Sequence, residues 1–264
     1  MENTVYLETA VTLAQQAGDI IRSRFGGDFE RGFKSGPSDL VTEVDRQAED
    51  LITTGLRAKF PAHTVIGEEN DSTAGGQEPG DDYTWYVDPL DGTTNFVYGI
   101  PFCCVSIGLS YHGRLTVGVV YDPLRRELFT AELGRGTCLN GRPVRVDETR
   151  KYLSDALLVT GYPSDKNYGG RLSGLNYQKI IASCNNLRAL GSAALELAYI
   201  SCGRLTGIWE NTLMSWDVAA GSLLVAEAGG RVTDLAGNPL ELRRYLSIAA
   251  SNGFIHNELL QSLS

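Results

Sequence analysis

Residues 85–96, WYVDPLDGTTNF, limit what this chain can become more than any other stretch. Trp85-Tyr86-Val87 is aromatic and β-branched, the make-up of a buried strand. Asp88-Pro89 is expected to break that strand, because proline supplies no ladder donor. Gly92 permits a turn that residues bearing a Cβ resist. Two carboxylates, Asp88 and Asp91, thus leave a buried strand where the chain turns. Acids in that position are poorly placed to pack in a core and well placed to face a ligand. Residues 64–70, TVIGEEN, have the same form: a short apolar strand whose exit carries Glu68 and Glu69.

A chain of 264 residues can bury one large core or two small ones sharing a site. Its net charge is -9, which argues against a nucleic-acid partner, since such proteins present a basic face. There is no polybasic run for an anionic membrane and no apolar run of spanning length. If the substrate is an anion, something other than net charge must attract it, and a bound cation would do so. The N-terminus has no basic, then apolar, export signal. Five cysteines without a CxxC pair suit reduced thiols and a cytoplasmic location. Cys103-Cys104 reads as strand packing. The three histidines, His63, His112 and His256, have no partner at ligand spacing and read as surface or turn residues. Chemistry in this chain is carboxylate chemistry.

Along the chain, Leu7, Ala10, Ala14, Ala17 and Ile21 recur at helical spacing and predict a helix over 4–25, stopped by Gly26-Gly27. Residues 28–40 read as a loop or loose hairpin carrying Lys34, and a second helix runs from about Thr42 to Lys59. Residues 70–82 are acidic and turn-rich, a mobile surface loop. Strands are expected at 103–111, 114–122 and 126–132, with Asn140-Gly141 as a hairpin turn. That meander predicts an antiparallel sheet. Beyond it come a strand (155–161), a helix (191–203), a strand (204–210), a helix (215–230) capped by Gly-Gly, and a strand (245–251). The pattern changes near residue 150. An α+β half (1–150) is therefore followed by an α/β half (151–264), with a site between them.

Asp45, Glu68, Glu69, Asp88, Asp91 and Asp217 all fall at the ends of elements. Hard divalent cations such as Mg²⁺ take oxygen ligands, chiefly carboxylates, carbonyls and water. Asp88 between two ions, with Glu68, Asp91 and Asp217 around them, would serve. A lone Asp in such a place has the ordinary alternative of a cap or turn residue. Two acid pairs leaving strands of similar character weaken that alternative. Asp45 itself keeps two readings, since TEVD (42–45) is also a helix-capping pattern.

Gly67-Glu68-Glu69, WYVDPLDGTTNF and WDVAAGSLLVAEAGG (216–230) together resemble the three signatures of the inositol monophosphatase family of Mg²⁺-dependent, lithium-sensitive phosphatases. DLVTEVDRQAE (39–49) and LRALGSAALELAYISCGRLTGIWE (187–210) match the family as well, so the resemblance spans roughly residues 5–255. It implies an α/β fold, a layered αβαβα sandwich forming one catalytic domain over 1–264, and a homodimer. It implies two or three Mg²⁺ ions. Glu68, Asp88 and the Leu90 carbonyl would hold the first, and Asp88, Asp91 and Asp217 the second. Glu69 would serve an outer, weaker site. Thr93 would hydrogen-bond to Asp45 and position the attacking water. Amides around Gly92, Thr93 and Thr94 would grip phosphate. Gly191, Ser192 and Ala193 would line the sugar side, and Glu210 would accept from ring hydroxyls. Lys34 would lie on a loop folded toward the metals.

The implied substrate is a small-molecule phosphate monoester, foremost myo-inositol 1-phosphate. Anionic esters repel anionic nucleophiles, and metal ions relieve that repulsion without a covalent nucleophile. Sister phosphatases acting on histidinol phosphate, fructose 1,6-bisphosphate or 3′-phosphoadenosine 5′-phosphate are the alternative. Nucleotide-directed members read DGTKEF where this chain has Thr94, which favours the inositol group. A catalytically idle regulator would be expected to lose a metal ligand, and none is missing. VTGYPSDKNYGG (159–170) departs from the animal members at the substrate mouth.

Overall fold

The computed structural model describes residues 2–33, 40–71, 82–161 and 177–263. Lys34, most of the acidic 70–82 stretch and residues 162–176 lie outside them. The chain opens with α1 (Glu2–Arg24), a short antiparallel pair β1 (Arg31–Phe33) and β2 (Leu40–Thr42), and α2 (Glu43–Lys59). The two long helices stand where their periodicity predicts. In α2 the Thr42 side chain caps the Val44 amide while Asp45 accepts from the Thr42 amide, so both halves of a capping box are present.

There follow β3 (Thr64–Gly67), the one-turn α3 (Glu68–Asp71), β4 (Tyr83–Asp91), α4 (Thr93–Val97), β5 (Cys104–Tyr111), β6 (Arg114–Asp122), β7 (Glu127–Glu132), β8 (Thr137–Leu139) and β9 (Arg142–Val144). These strands pair in chain order as one sheet, parallel only between β3 and β4. Asn140 and Gly141 both have positive φ, the geometry that a two-residue hairpin demands. The remaining elements are β10 (Leu157–Val159), α5 (Tyr177–Ser183), β11 (Asn186–Arg188), α6 (Ala193–Ser201), β12 (Gly207–Leu213), α7 (Ser215–Glu227), β13 (Arg231–Thr233), β14 (Leu246–Ser251) and α8 (His256–Leu263). Their strands form a second sheet in the order β11-β10-β12-β14-β13, parallel at the β11 side and antiparallel at the β13 side.

Five layers result. Helices α1 and α2 cover one face of the first sheet, and α7, with α6 beside it, covers the other. The second sheet closes the far side of α6 and α7, and α5 and α8 form the outer layer. The layered αβαβα α/β sandwich is therefore borne out. The middle helices have almost no wet face: Ser215–Val225 is buried throughout except for half-buried Asp217. A helix apolar all round is a core helix. It approaches the first sheet backbone to backbone. A Cβ on Gly118 would stand 2.7 Å from the Ala220 carbonyl oxygen, and one on Gly108 2.9 Å from the Ala220 nitrogen.

Two expectations fail. Asp88-Pro89 does not end its strand, and β4 continues to Asp91. Asp88 pairs with Ser106 and Asp91 with Cys104, so Pro89 and Leu90 stand opposite Val105 alone. This is a bulge, which accommodates proline's missing donor without ending the ladder. His256 also differs from expectation. His256 is wholly buried between the hydroxyls of Thr233 and Ser251. His63 stacks on Tyr83 and Phe60 and accepts from the Trp85 indole. Only His112 is an exposed turn residue, at φ 48°.

Candidate active site

The bulge turns β4 so that both of its acids face one region beyond the strand. Asp88 is 2 % exposed and accepts from the Leu90 amide at 3.0 Å. Gly92 follows at φ 94°, where a Cβ would press on the Phe102 carbonyl oxygen at 2.9 Å, so glycine is required. Helix α4 then begins directly behind the acids. The Thr93 hydroxyl lies 2.8 Å from Asp45 Oδ1 and 3.0 Å from the Leu90 carbonyl. Asp45 thus does both things foreseen for it. Its Oδ2 caps α2, accepting from the Thr42 amide and hydroxyl, while its Oδ1 meets Thr93.

The helix layer supplies one acid and holds another. Asp217 is the third residue of α7 and accepts from the Met214 amide at 2.8 Å. Asp91 is bound by the turn before α6: its Oδ2 accepts from the Ser192 hydroxyl and the Ala194 amide, each at 2.7 Å. Ser192 stands at the start of α6. It occupies the cap position but makes no side-chain cap bond, because its hydroxyl is spent on Asp91. Gly191 precedes it at φ 83°. From the β3 side, Glu68 comes within hydrogen-bonding reach of Asp88. The Glu69 amide donates to Glu49 at 2.6 Å.

On the far side, Glu210 lies in β12 just before a second bulge, where Asn211 and Thr212 oppose Ser247 alone. Thr212 sits there at φ 64°, a conformation costing about 1–3 kcal/mol for a residue with a branched Cβ. Both sheets therefore break register at a site acid. Glu210 is 7 % exposed, and a Cβ on Gly161 would collide with its carboxylate.

Glu68, Asp88, Asp91 and Asp217 repel one another. The charges raising Asp88 most are all negative: after burial come Glu68, Asp91 and Asp217, and together they hold its carboxyl well above the usual range. Burial likewise pushes Asp91 up to about 6, against the hydrogen bonds from Ser192 and Ala194. Burial raises Asp45 as well. Acids forced together in this way, beside an inward carbonyl at Leu90, form an all-oxygen donor set suited to a hard divalent cation. Among the described residues, no three of them already close around one point. The fit to such an ion therefore rests on the chemistry of the donors, four carboxylates and a carbonyl, all oxygen.

Sequence reasoning overlooked three residues. Asn95, inside the opening motif, donates to the carbonyls of Phe102, at 2.8 Å, and Leu190, at 2.7 Å, tying α4 to the turn before α6. Glu49 is buried under Gly67 and Glu69. Glu196 is buried in α6 and accepts from the Leu190 and Gly191 amides. The signal for Glu196 was available, as the lone charge in the apolar run AALELAYIS.

A family model described as the inositol monophosphatase family matches residues 2–264. Nus factor SuhB of Pseudomonas aeruginosa is 46% identical over 235 residues, 88% of this chain and 86% of that protein. Inositol monophosphatase 3 of Solanum lycopersicum is 43% identical over 264 residues, 98% of this chain and 96% of that one. Among solved structures, the extragenic suppressor protein suhB from Bartonella henselae superposes with a TM-score of 0.89 at 37% identity, covering 98% of each chain. Similarity thus extends across both sheets and the helix layer between them.

Proposed function

Because this chain belongs to the inositol monophosphatase family and is a phosphatase, we propose that it hydrolyses myo-inositol 1-phosphate with Mg²⁺ as its cation. The observation that carries this reading is the hydrogen-bonded chain Asp45–Thr93–Leu90 set against Asp88 and Asp91 on the bulge of β4. Glu68, Asp88 and the Leu90 carbonyl would hold one ion, and Asp88, Asp91 and Asp217 a second. Glu69 serves a third, outer position. Bound Mg²⁺ supplies the positive charge that makes water more acidic and neutralises the ester and its leaving oxygen.

The protein's own groups do the rest. Asp45 holds the Thr93 hydroxyl by accepting its proton, so the Thr93 oxygen presents a lone pair that orients an attacking water. Gly92, Thr93 and Thr94 turn the first amides of α4 toward phosphate oxygens, donors with no partner ahead of them in the helix. Ser192 and the Ala194 amide keep Asp91 oriented. Gly191, Ser192 and Ala193 border the alcohol side, and Glu210 accepts from its hydroxyls. The reading extends to a lithium-sensitive cytoplasmic homodimer. No described helix is long and apolar enough to cross a membrane.

Phosphate release from inositol 1-phosphate, with Mg²⁺ and with chelator, is the test. The comparison esters are histidinol phosphate, fructose 1,6-bisphosphate and 3′-phosphoadenosine 5′-phosphate. Mg²⁺-dependent turnover favouring inositol 1-phosphate is expected. Preference for another ester replaces the substrate and keeps the site. The likeness to proteins named Nus factor SuhB favours one second reading, a regulator that has kept the fold. Intact Mg²⁺ binding without turnover of any ester would support it.

A further inference from the structure

Glu196 has no place in the chemistry above, yet it is fully buried between the two halves of the site. Its Oε1 accepts from the Leu190 amide at 2.9 Å and the Gly191 amide at 3.2 Å. The same turn is held from its other side, where Asn95 donates to the Leu190 carbonyl. The second oxygen of Glu196, Oε2, is buried and meets no donor among the described residues. A buried carboxylate oxygen left in that state is costly. The group within hydrogen-bonding reach of the Glu196 carboxyl is the carboxyl of Glu210. Two ionised carboxylates cannot bond to each other, because both only accept. One proton between them satisfies both.

We propose that Glu196 is a positioning residue for substrate selection: it shares a proton with Glu210, fixes that carboxyl against Gly161, and holds the Leu190–Gly191 turn, so that the pair presents one acceptor to a polyol hydroxyl. The inference rests on the phosphatase reading and adds how the alcohol half of the ester is chosen. Burial pushes Glu196 up to about 8 and raises Glu210 well above the usual range, consistent with a retained proton at neutral pH. The other charges facing the pair are Asp91, toward both acids, and Asp217, toward Glu210. Sharing a proton keeps the pair at one negative charge, where two would further repel a phosphate ester. Glu210's remaining oxygen is left to accept from a hydroxyl, and a leaving group without hydroxyls gains nothing from it.

The test compares inositol 1-phosphate with an aryl phosphate lacking hydroxyls, both with saturating Mg²⁺. Glu196→Ala should raise KM for inositol 1-phosphate about tenfold or more, the scale of one lost hydrogen bond to a charged group. The aryl ester depends on the same turn and on Asp91 but has no hydroxyl contact, so its kcat/KM should fall at least about threefold less than that of inositol 1-phosphate. Glu196→Gln keeps an acceptor for the turn and offers an N–H to Glu210, so it should restore most of the inositol 1-phosphate KM. Equal losses on both esters, or a Gln variant as impaired as the Ala variant, would overturn the proposal. Should Glu196→Ala fail to fold, infrared difference spectra decide. The Mg²⁺-loaded wild type should have a protonated carboxyl C=O band that Glu196→Gln lacks, and its absence refutes the shared proton. A wild type that turns over neither ester removes the phosphatase reading, while the infrared result still stands or falls by itself.

Discussion

At Asp88, function and stability oppose each other. Its carboxyl is buried among three other acids, and its ionised form is disfavoured in the metal-free fold. Asp88→Asn should therefore lower turnover by about 10³-fold or more, the scale of losing an electrostatic anchor. It should at the same time raise the thermal midpoint of the metal-free protein, because a repelled charge is gone. Activity assay and calorimetry on one preparation check both halves. Thr93→Ala separates positioning from metal binding. It should cost about 10²-fold in kcat and leave the Mg²⁺ titration by calorimetry unchanged, since only its hydroxyl bonds to Asp45 and Leu90 are lost.

Elements hold these residues in place, and α7 is held most tightly. Gly118→Ala would put a methyl against the Ala220 carbonyl, which belongs to a backbone and cannot swing aside. A cost of about 1–3 kcal/mol is expected in denaturant unfolding, together with weaker Mg²⁺ binding as α7 carries Asp217 outward. Elements also mark what could be read in advance. Helices α1 and α2 were legible because one wet and one dry face impose a period, and the Asn140-Gly141 hairpin because its turn needs two positive φ values. The acids were legible as a set because each sits where an element ends. The helices α3, α4, α5 and α8 and the strands β11 and β13 were not foreseen: they span three to eight residues, too short to display a clear period. The bulge of β4 was read as a strand end. Proline signals a missing donor, and the sequence does not say whether the partner strand will skip a residue to accommodate it. Glu196 is marked in the sequence as the lone charge of an apolar helix, but spacing does not show that its neighbour Glu210 arrives from β12.

For the molecule as a whole, cation and proton act on the same cluster. Mg²⁺ should raise the thermal midpoint, contributing about 2.7 kcal/mol at a hundredfold excess over its Kd, and Asp88→Asn should remove most of that rise. Acid works elsewhere too. Burial, with nearby Arg231 second, holds His256 down at about 4, below its ordinary 6.5. Between those values the unfolded chain takes up a proton that the folded one refuses, so stability falls as pH falls through that window. Asp91, held up near 6, has the opposite sign and stabilises the fold as pH drops. Comparing wild type with His256→Gln isolates the histidine: the variant's thermal midpoint should decline less steeply from pH 6.5 to 4. His256, held between Thr233 and Ser251, thus gives the protein a weakness to acid opposite in sign to the effect of Asp91.

Helix α7, which lacks an outer face, also imposes an order of assembly. A chain growing from its N-terminus completes Glu68, Asp88 and Asp91 long before Asp217 is made. When α7 emerges, the first sheet can take one of its sides, while the other waits for β13 and β14, the last strands of the chain. Until those strands leave the ribosome, the nascent protein already holds Glu68, Asp88, Asp91 and Asp217 but leaves one side of an apolar helix uncovered. The acid set is therefore complete before its supporting helix is covered, and the second sheet's closing strands end the exposure of α7.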